Sequence, residues 1–408
     1  MNELARSACA AALLAPVAAL FAVAPAAAQI PPPSPAGMAQ LAPTMIRPVA
    51  VFGKDQRRPL PAKLSQLKRS IGLIINNRAR SVCTGFCVAD NVAATAAHCL
   101  FRTAGERRPR LRGFRFILKS HRKQPSSPIE GYRARSPAQF VVAGSRKLRV
   151  EPPIDATRDW ALMRLAKPIC KGSALAVTAR SPRAIAGDAR RRRLIQVAYH
   201  HDFANWRLAY SGPCTSQPIK ARRRQHIKRD FTAPQALVLH TCDTGGASSG
   251  SPLLKIAGNG ELEVVAVNVG TYIQTRMKMK RGKVIRRFKA DAIANTAVTM
   301  HALHQLIAPF AAADIIHKPR DLVTIQKGLR ARGFYAARVD GTFGPATRAA
   351  IAAFQGVTSQ LLSGLPTRDL LDRLAADPST APDLQTEQRS QQVTRGRLKK
   401  RIKSRRRR

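Results

Sequence analysis

The sequence predicts an all-β body, followed by a small three-helix domain and a disordered basic tail. Three observations carry this. From residue 71 the chain runs in short apolar stretches, often β-branched and broken by turn residues: 71–75, 114–118, 140–142, 194–198, 236–239 and 262–269. Stretches of that length and texture suit the strands of barrels or sandwiches. After about residue 310 the apolar spacing lengthens to that of a helix. Finally, residues 389–408 hold no acidic side chain and end in Arg405-Arg406-Arg407-Arg408, with too little apolar surface to offset the cost of ordering.

The segments follow in order. Residues 10–24 are apolar and uncharged, and Ala26-Ala27-Ala28 offers small residues for signal peptidase. Residues 1–28 therefore read as a secretory signal, too short to span a bilayer, although Glu3 weakens its n-region. No later stretch is long and apolar enough to span. The expectation is an exported protein, periplasmic or extracellular. Residues 29–70, rich in proline and alanine, read as an extended linker or propeptide. Residues 71–309 are the β body, with basic runs at 190–193 and 222–224. In the helical part, Leu322, Ile325 and Leu329 share one face, and Gly333 is a stop signal. Gly344-Pro345 opens a second helix carrying Ala350, Ile351 and Phe354, with proline at its first position. Leu370, Leu371 and Leu374 mark a third, after Pro366-Thr367. An Asp- and Gly-rich turn, Val339-Asp340-Gly341-Thr342-Phe343-Gly344, joins the first two.

Charge and cysteines narrow the setting. Lys and Arg number 70 against 23 Asp and Glu, a net charge of +47. Such a surface attracts polyanions, whether nucleic acid, anionic lipid or wall polymer. Export argues against nucleic acid and leaves anionic envelope polymers, held by the tail 376–408, as the expected electrostatic partner. Cys9 leaves with the signal. Cys83, Cys87, Cys99, Cys170, Cys214 and Cys242 remain, and an even number in an oxidising compartment suggests disulfides, with the pairing left open. No spacing matches a zinc pattern, so no metal is expected.

Three strings carry the chemistry: Thr95-Ala96-Ala97-His98-Cys99, Asp159-Trp160-Ala161-Leu162 and Ser248-Ser249-Gly250-Ser251-Pro252. Acyl transfer by serine needs a hydroxyl, an imidazole to take its proton, and a carboxylate to fix the imidazole tautomer. One candidate of each stands here, in the order His, Asp, Ser. Any other histidine, such as His121, His226, His240 or the pair His200-His201, lacks such flanks and reads as a surface or core residue.

That order and those flanks resemble the trypsin-like (chymotrypsin-fold) serine proteases of the bacterial Ser-Gly-Ser-Pro branch, over residues 71–309. The resemblance implies two antiparallel β-barrels and a protein or peptide substrate, with no metal or organic cofactor. It makes Ser249 the nucleophile, His98 the general base and Asp159 its orienting partner, with the N–H groups of Ala247 and Ser249 as oxyanion hole. The family usually has glycine where Ala247 stands. A methyl disfavours the positive φ that glycine allows, so a hole collapsed until substrate binds is expected. Ser248 replaces the aspartate of animal digestive relatives, so latency would have to come from residues 29–70 covering the cleft. Asp243 falls at the pocket floor and Asn268 and Gly270 on the substrate-pairing strand, which implies cleavage after Arg or Lys. Val267 stands where glutamate-specific relatives carry histidine. The same resemblance pairs Cys83 with Cys99 and sets Cys214 with Cys242, leaving Cys87 with Cys170.

Residues 320–375, with Gln326, the Asp-Gly-x-Phe-Gly turn and Thr-Arg-x-Ala-Ile-x-x-Phe-Gln, resemble the peptidoglycan-binding three-helix domain of cell-wall enzymes. This implies peptidoglycan as a partner, with Asp340, Gly341 and Phe343 near the ligand. The function implied is an endopeptidase held at the wall. The alternative is a catalytically weak pseudoprotease serving as a peptidoglycan-binding scaffold.

Overall fold

Two curved β-sheets make up the body of the protein. The computed structural model describes residues 44–47, 50–77, 81–101, 111–119, 124–133, 137–217, 227, 229–274, 277–280, 283–287 and 291–376. The expected signal segment 1–28, the basic run 222–224 and the tail from 377 onward lie outside these residues.

In chain order, β1 (Thr44–Arg47) and β2 (Arg58–Pro59) precede β3 (Ile71–Asn76), β4 (Ser81–Ala89), β5 (Val92–Thr95), β6 (Arg115–Leu118), β7 (Ser126–Pro128), β8 (Val141–Ala143) and β9 (Ala161–Arg164). The last seven form one antiparallel sheet in the order β7-β6-β3-β4-β5-β9-β8. An antiparallel bridge between Ile129 and Leu165, with Glu130 N–H donating to Arg164 O at 2.9 Å, brings β7 round onto β9 and closes the sheet on itself. Phe86, Phe114, Phe116, Ile71 and Ile74 fill its interior, and all are fully buried. The short α1 (Ala97–Leu100) follows β5 directly.

The second sheet is built from β10 (Ala176–Val177), β11 (Leu194–Ala198), β12 (Ala209–Ser211), β13 (Ser216–Gln217), β14 (Leu237–His240), β15 (Pro252–Ile256) and β16 (Leu262–Gln274). After a two-stranded ribbon, β17 (Met277–Lys280) and β18 (Lys283–Arg287), it is completed by β19 (Asp291–Thr299). Its path is β13-β14-β19-β16-β15-β11-β12-β2. One pairing departs from the antiparallel rule: β10 lies parallel to β16. Disulfides join Cys83 to Cys99, Cys87 to Cys170 and Cys214 to Cys242. α2 (Pro182–Arg190), capped by the Ser181 hydroxyl accepting from Ala184 N–H, covers the sheet with Ile185 and Ala189. Two sheets of antiparallel strands, the first closed on itself, followed by a helical region are the order of parts expected from the sequence.

Residues 50–70 differ from the linker expected there. β2 pairs with β12, Leu67 is buried in the main core, and Arg57 is 8 % exposed. Proline-rich sequence does predict extended chain, but an edge strand is extended chain too, and only its partner distinguishes the cases. β1 likewise pairs antiparallel with β16, Thr44 opposite Gln274 and Arg47 opposite Thr271.

The C-terminal helices are α3 (His304–Ala312), which packs on the first barrel, then α4 (Pro319–Ala331), α5 (Pro345–Val357) and α6 (Arg368–Ala375). Leu322, Ile325, Leu329, Ile351, Phe354, Leu370 and Leu374 form a separate core. This domain is not held by a free tether. Arg348 Nη2 donates to the carbonyls of Ala138 (2.8 Å) and Val141 (3.0 Å) on the first barrel. Burial, with Arg146 close by, pushes the Arg348 guanidinium well below its ordinary pKa.

Candidate active site

His98 sits on α1 at the end of β5, and Asp159 lies just before β9, the strand beside β5 in the sheet. The pairing therefore brings the two side chains together. His98 Nδ1 lies 2.7 Å from Asp159 Oδ2, and the backbone N–H of His98 donates to Oδ1 at 2.9 Å. Two bonds to one carboxylate fix both the ring and its tautomer. With the proton on Nδ1, Nε2 is the accepting nitrogen of the neutral ring. Asp159 is 6 % exposed, while the His98 side chain retains 28 % exposure.

Ser249 comes from the second sheet, on the turn before β15. Gly250 makes the approach possible. It adopts φ +81°, and a Cβ there would lie 2.1 Å from Thr95 Oγ1 and 2.8 Å from Ala96 N, both in the segment that carries His98. Thr84 of β4 completes the junction: its N–H donates to Ser249 O (2.9 Å), and its hydroxyl donates to Ala247 O (2.8 Å) while accepting from Tyr199 N–H (3.1 Å). The Ser249 turn is thereby fastened to the barrel that bears the His–Asp pair. Cys83, His98 and Cys99 cluster closely enough to suggest a metal site, but the two sulfurs are joined to each other and are not free thiolates.

Ala247 does take up a glycine-like conformation, φ +74°, at a cost of about 1–2 kcal/mol for an L-residue. Its N–H and that of Ser249 have no acceptor among the described residues. The collapsed hole expected from the methyl is not what the backbone shows. The loop around it holds Ala247 in place. Gly246 O accepts from His201 N–H at 2.9 Å, and Gly245 N–H donates to His200 Nδ1 at 3.0 Å. A trans peptide plane points its N–H opposite its carbonyl, so fixing Gly246 O directs Ala247 N–H away from residue 201.

Asp243 is buried, and each oxygen of its carboxylate accepts a backbone N–H from the chain itself. Oδ1 accepts from Phe52 N–H (2.9 Å) and Oδ2 from Gln56 N–H (2.8 Å). The expected pocket-floor carboxylate is thus almost wholly buried and is held by residues 52 and 56 of its own chain. Asn268 is buried beside the Ser249 turn, with its backbone carbonyl accepting from Gly250 N–H (2.7 Å) and its side-chain amide donating to Ser248 O (3.2 Å). Its Oδ1 lies 3.2 Å from His240 Nε2, and burial drives His240 down to about 4. Gly270 follows a β-bulge in β16 and accepts from the Thr296 hydroxyl.

In the helical domain the Asp340 turn is a structural device. Gln326 Oε1 accepts from the N–H groups of Asp340 and Gly341, and Gln326 Nε2 donates to Asp340 Oδ1 and Thr342 O. The Gln326 bond is the main reason the Asp340 carboxyl titrates below its ordinary range. Phe343 is 3 % exposed, within the domain core, and Gly341 is buried as well. The expected ligand contacts at Phe343 and Gly341 are therefore corrected; of the three, Asp340 alone reaches the surface.

Residues 319–374 match the family model described as "Putative peptidoglycan binding domain". A solved structure of a Glu endopeptidase in complex with MPD matches at 14 % identity, covering 64 % of this chain and all of that one, with a TM-score of 0.37. No curated protein matches the chain. Sequence reasoning missed Arg57, Thr84, His200, His201 and Asp202. The first stood in a presumed linker, and the histidine pair carried no motif.

Proposed function

We propose that the protein is an exported serine endopeptidase in which Ser249 attacks a peptide carbonyl, His98 takes its proton, and Asp159 holds the imidazole. The single observation that carries this reading is the doubly bonded His98–Asp159 pair against which the Ser249 turn is packed. In the first step Ser249 Oγ bonds to the carbonyl carbon while its proton passes to His98 Nε2, and the carbonyl oxygen takes negative charge between Ala247 and Ser249 N–H. Collapse expels the amine, which takes the proton from His98. Water then repeats the sequence and releases Ser249.

The helical domain, by its family match and the Arg348 bonds that tie it to the first barrel, would hold this catalyst against peptidoglycan. β1 bears on regulation. It runs along β16 just beyond Gly270 and is directed toward Asn268, the course expected of a substrate strand. β1 would thus cover the course of a substrate strand until it is removed.

A fluorophosphonate probe on the purified protein tests the reading. Covalent labelling should appear in the parent and vanish in Ser249→Ala. Equal labelling of both proteins, or none of either after trimming to Ala50, refutes it.

A further inference from the structure

Residues 50–57 pack along the segment that leads into the Ser249 turn. Thr244 N–H donates to Ala50 O at 2.9 Å, Ala50 N–H donates to the Thr244 hydroxyl at 3.1 Å, and Asp243 takes the N–H groups of Phe52 and Gln56. What this anchoring delivers is Arg57. Its side chain is only 5 % exposed, yet it is held by two carboxylates. Asp55 accepts at 2.8 Å from Nη2. Asp202 accepts at 3.0 Å from Nη1 and 3.1 Å from Nη2, a two-pronged pairing that fixes orientation as well as charge. Phe203 lies under the guanidinium at 5.0 Å.

The ion pair touches the nucleophile loop. A Cβ on Gly245 would fall 2.0 Å from Asp202 Oδ1 and 2.4 Å from Arg57 Nη1, so glycine is what allows the pair to lie flat against the loop. One residue on, a Cβ on Gly246 would fall 2.1 Å from the His201 ring. His200 and His201, which directly precede Asp202, hold Gly245 N–H and Gly246 O. A continuous chain of bonds thus leads from Asp243 through Phe52 and Gln56 to Arg57, then through Asp202 and His201 to the peptide that aims Ala247 N–H. Ser248 cannot supply this brace. Its hydroxyl is buried without a partner among the described residues, and it carries no charge.

We infer that Arg57 is a positioning residue for the oxyanion donor of Ala247, acting through Asp202, and that Asp243 anchors the segment that delivers it. The inference rests on the endopeptidase reading. It gives Ala247, with its unfavourable φ, an external clamp in place of glycine's freedom, and it gives Asp243 a role in catalytic geometry rather than in choosing the substrate side chain.

The test uses the protein after removal of the residues before Ala50, as parent and with Arg57→Met, Asp202→Asn and Arg57→Lys. A donor displaced by a fraction of an ångström should lower kcat by about 10- to 100-fold and leave KM within about twofold. Inhibition by a peptidyl trifluoromethyl ketone, whose adduct places an oxyanion in the hole, should weaken by the same factor as kcat/KM. Arg57→Lys should fall between, since it restores charge without the two-pronged geometry. A merely structural role would lower the melting temperature without that matched loss. If Arg57→Met does not fold, the other two variants decide. Parent kcat in the folded variants, or ketone inhibition unchanged while kcat falls, overturns the inference. A parent that fluorophosphonate does not label at Ser249 overturns the endopeptidase reading itself, and this inference with it.

Discussion

Lowering the pH from 7 to 5 protonates histidines wherever water reaches them, and two in this protein are withheld from water. His240 is buried beside Asn268, and burial lowers it from 6.5 to about 4, only partly offset by its bond to Asn268. His200, which accepts from Gly245 N–H, is also lowered from 6.5 to about 4, first by burial and then by the nearby Arg57 charge. In the unfolded chain both rings take a proton near 6.5, so in mild acid the unfolded state binds protons that the folded state refuses. Stability from these groups is therefore complete above about pH 6.5 and is lost as the pH falls toward 4. Each contributes roughly 3 kcal/mol in full, and close to 2 kcal/mol of that is gone by pH 5. Two such losses are large against a total stability of about 5–15 kcal/mol. The assay is urea unfolding at pH 7, 6 and 5. The midpoint should fall steeply through this range, and His240→Gln should remove about half of the fall. Asp55 and Asp202, lowered chiefly through Arg57 against the opposing effect of burial, add a separate loss below about pH 4. Equal midpoints at pH 7 and pH 5 would refute the reasoning, because they would mean that neither ring is shielded.

Four further outcomes are expected. Asp159→Asn should present the wrong imidazole tautomer and lower kcat by about 10⁴-fold, with far-ultraviolet circular dichroism unchanged. Asp243→Ser should lower turnover on every peptide in a library without redirecting cleavage; a shift from basic to apolar residues before the cut would restore the pocket-floor role. Protein beginning at Ala50 should cleave casein at least about 10-fold faster than protein beginning at Gln29, whereas protein beginning at Arg58 should lose activity; equal rates for the first two would show that β1 does not obstruct the cleft. Protein ending at Ala376 should pellet with peptidoglycan at both 0.1 M and 1 M salt, where the screening length falls from about 10 Å to about 3 Å; release at high salt would make retention electrostatic rather than a property of the helical domain.

Much of this was legible along the chain. Patterns that repeat within a few residues, such as the β-branched runs of β3, β11 and β14 or the Leu322–Ile325–Leu329 stripe, report local structure because burial of one face fixes the side-chain period. The flanks of His98, Asp159 and Ser249 are likewise local, since a tight turn or a short strand demands particular neighbours. Those positions announced a site before any partner was known.

Features that need a distant partner were not legible. Arg57 looked like a charge in a proline-rich linker, and only the closure of β2 onto β12 and the approach of Asp202 made it a buried clamp. Asp243 stood at the pocket-floor position by spacing, but whether a carboxylate faces substrate or its own chain depends on which donors the fold brings, and here residues 52 and 56 arrive first. Phe343 carried a binding-motif signature, yet the motif served to build the turn around Gln326 and left the ring in the core. The sequence by itself determined the strands, the helices and the identity of the reactive groups, because these follow from propensity and spacing. The tertiary structure decided which polar groups are satisfied and which are left to act, because a hydrogen bond between residues nearly 200 positions apart has no signature in either neighbourhood.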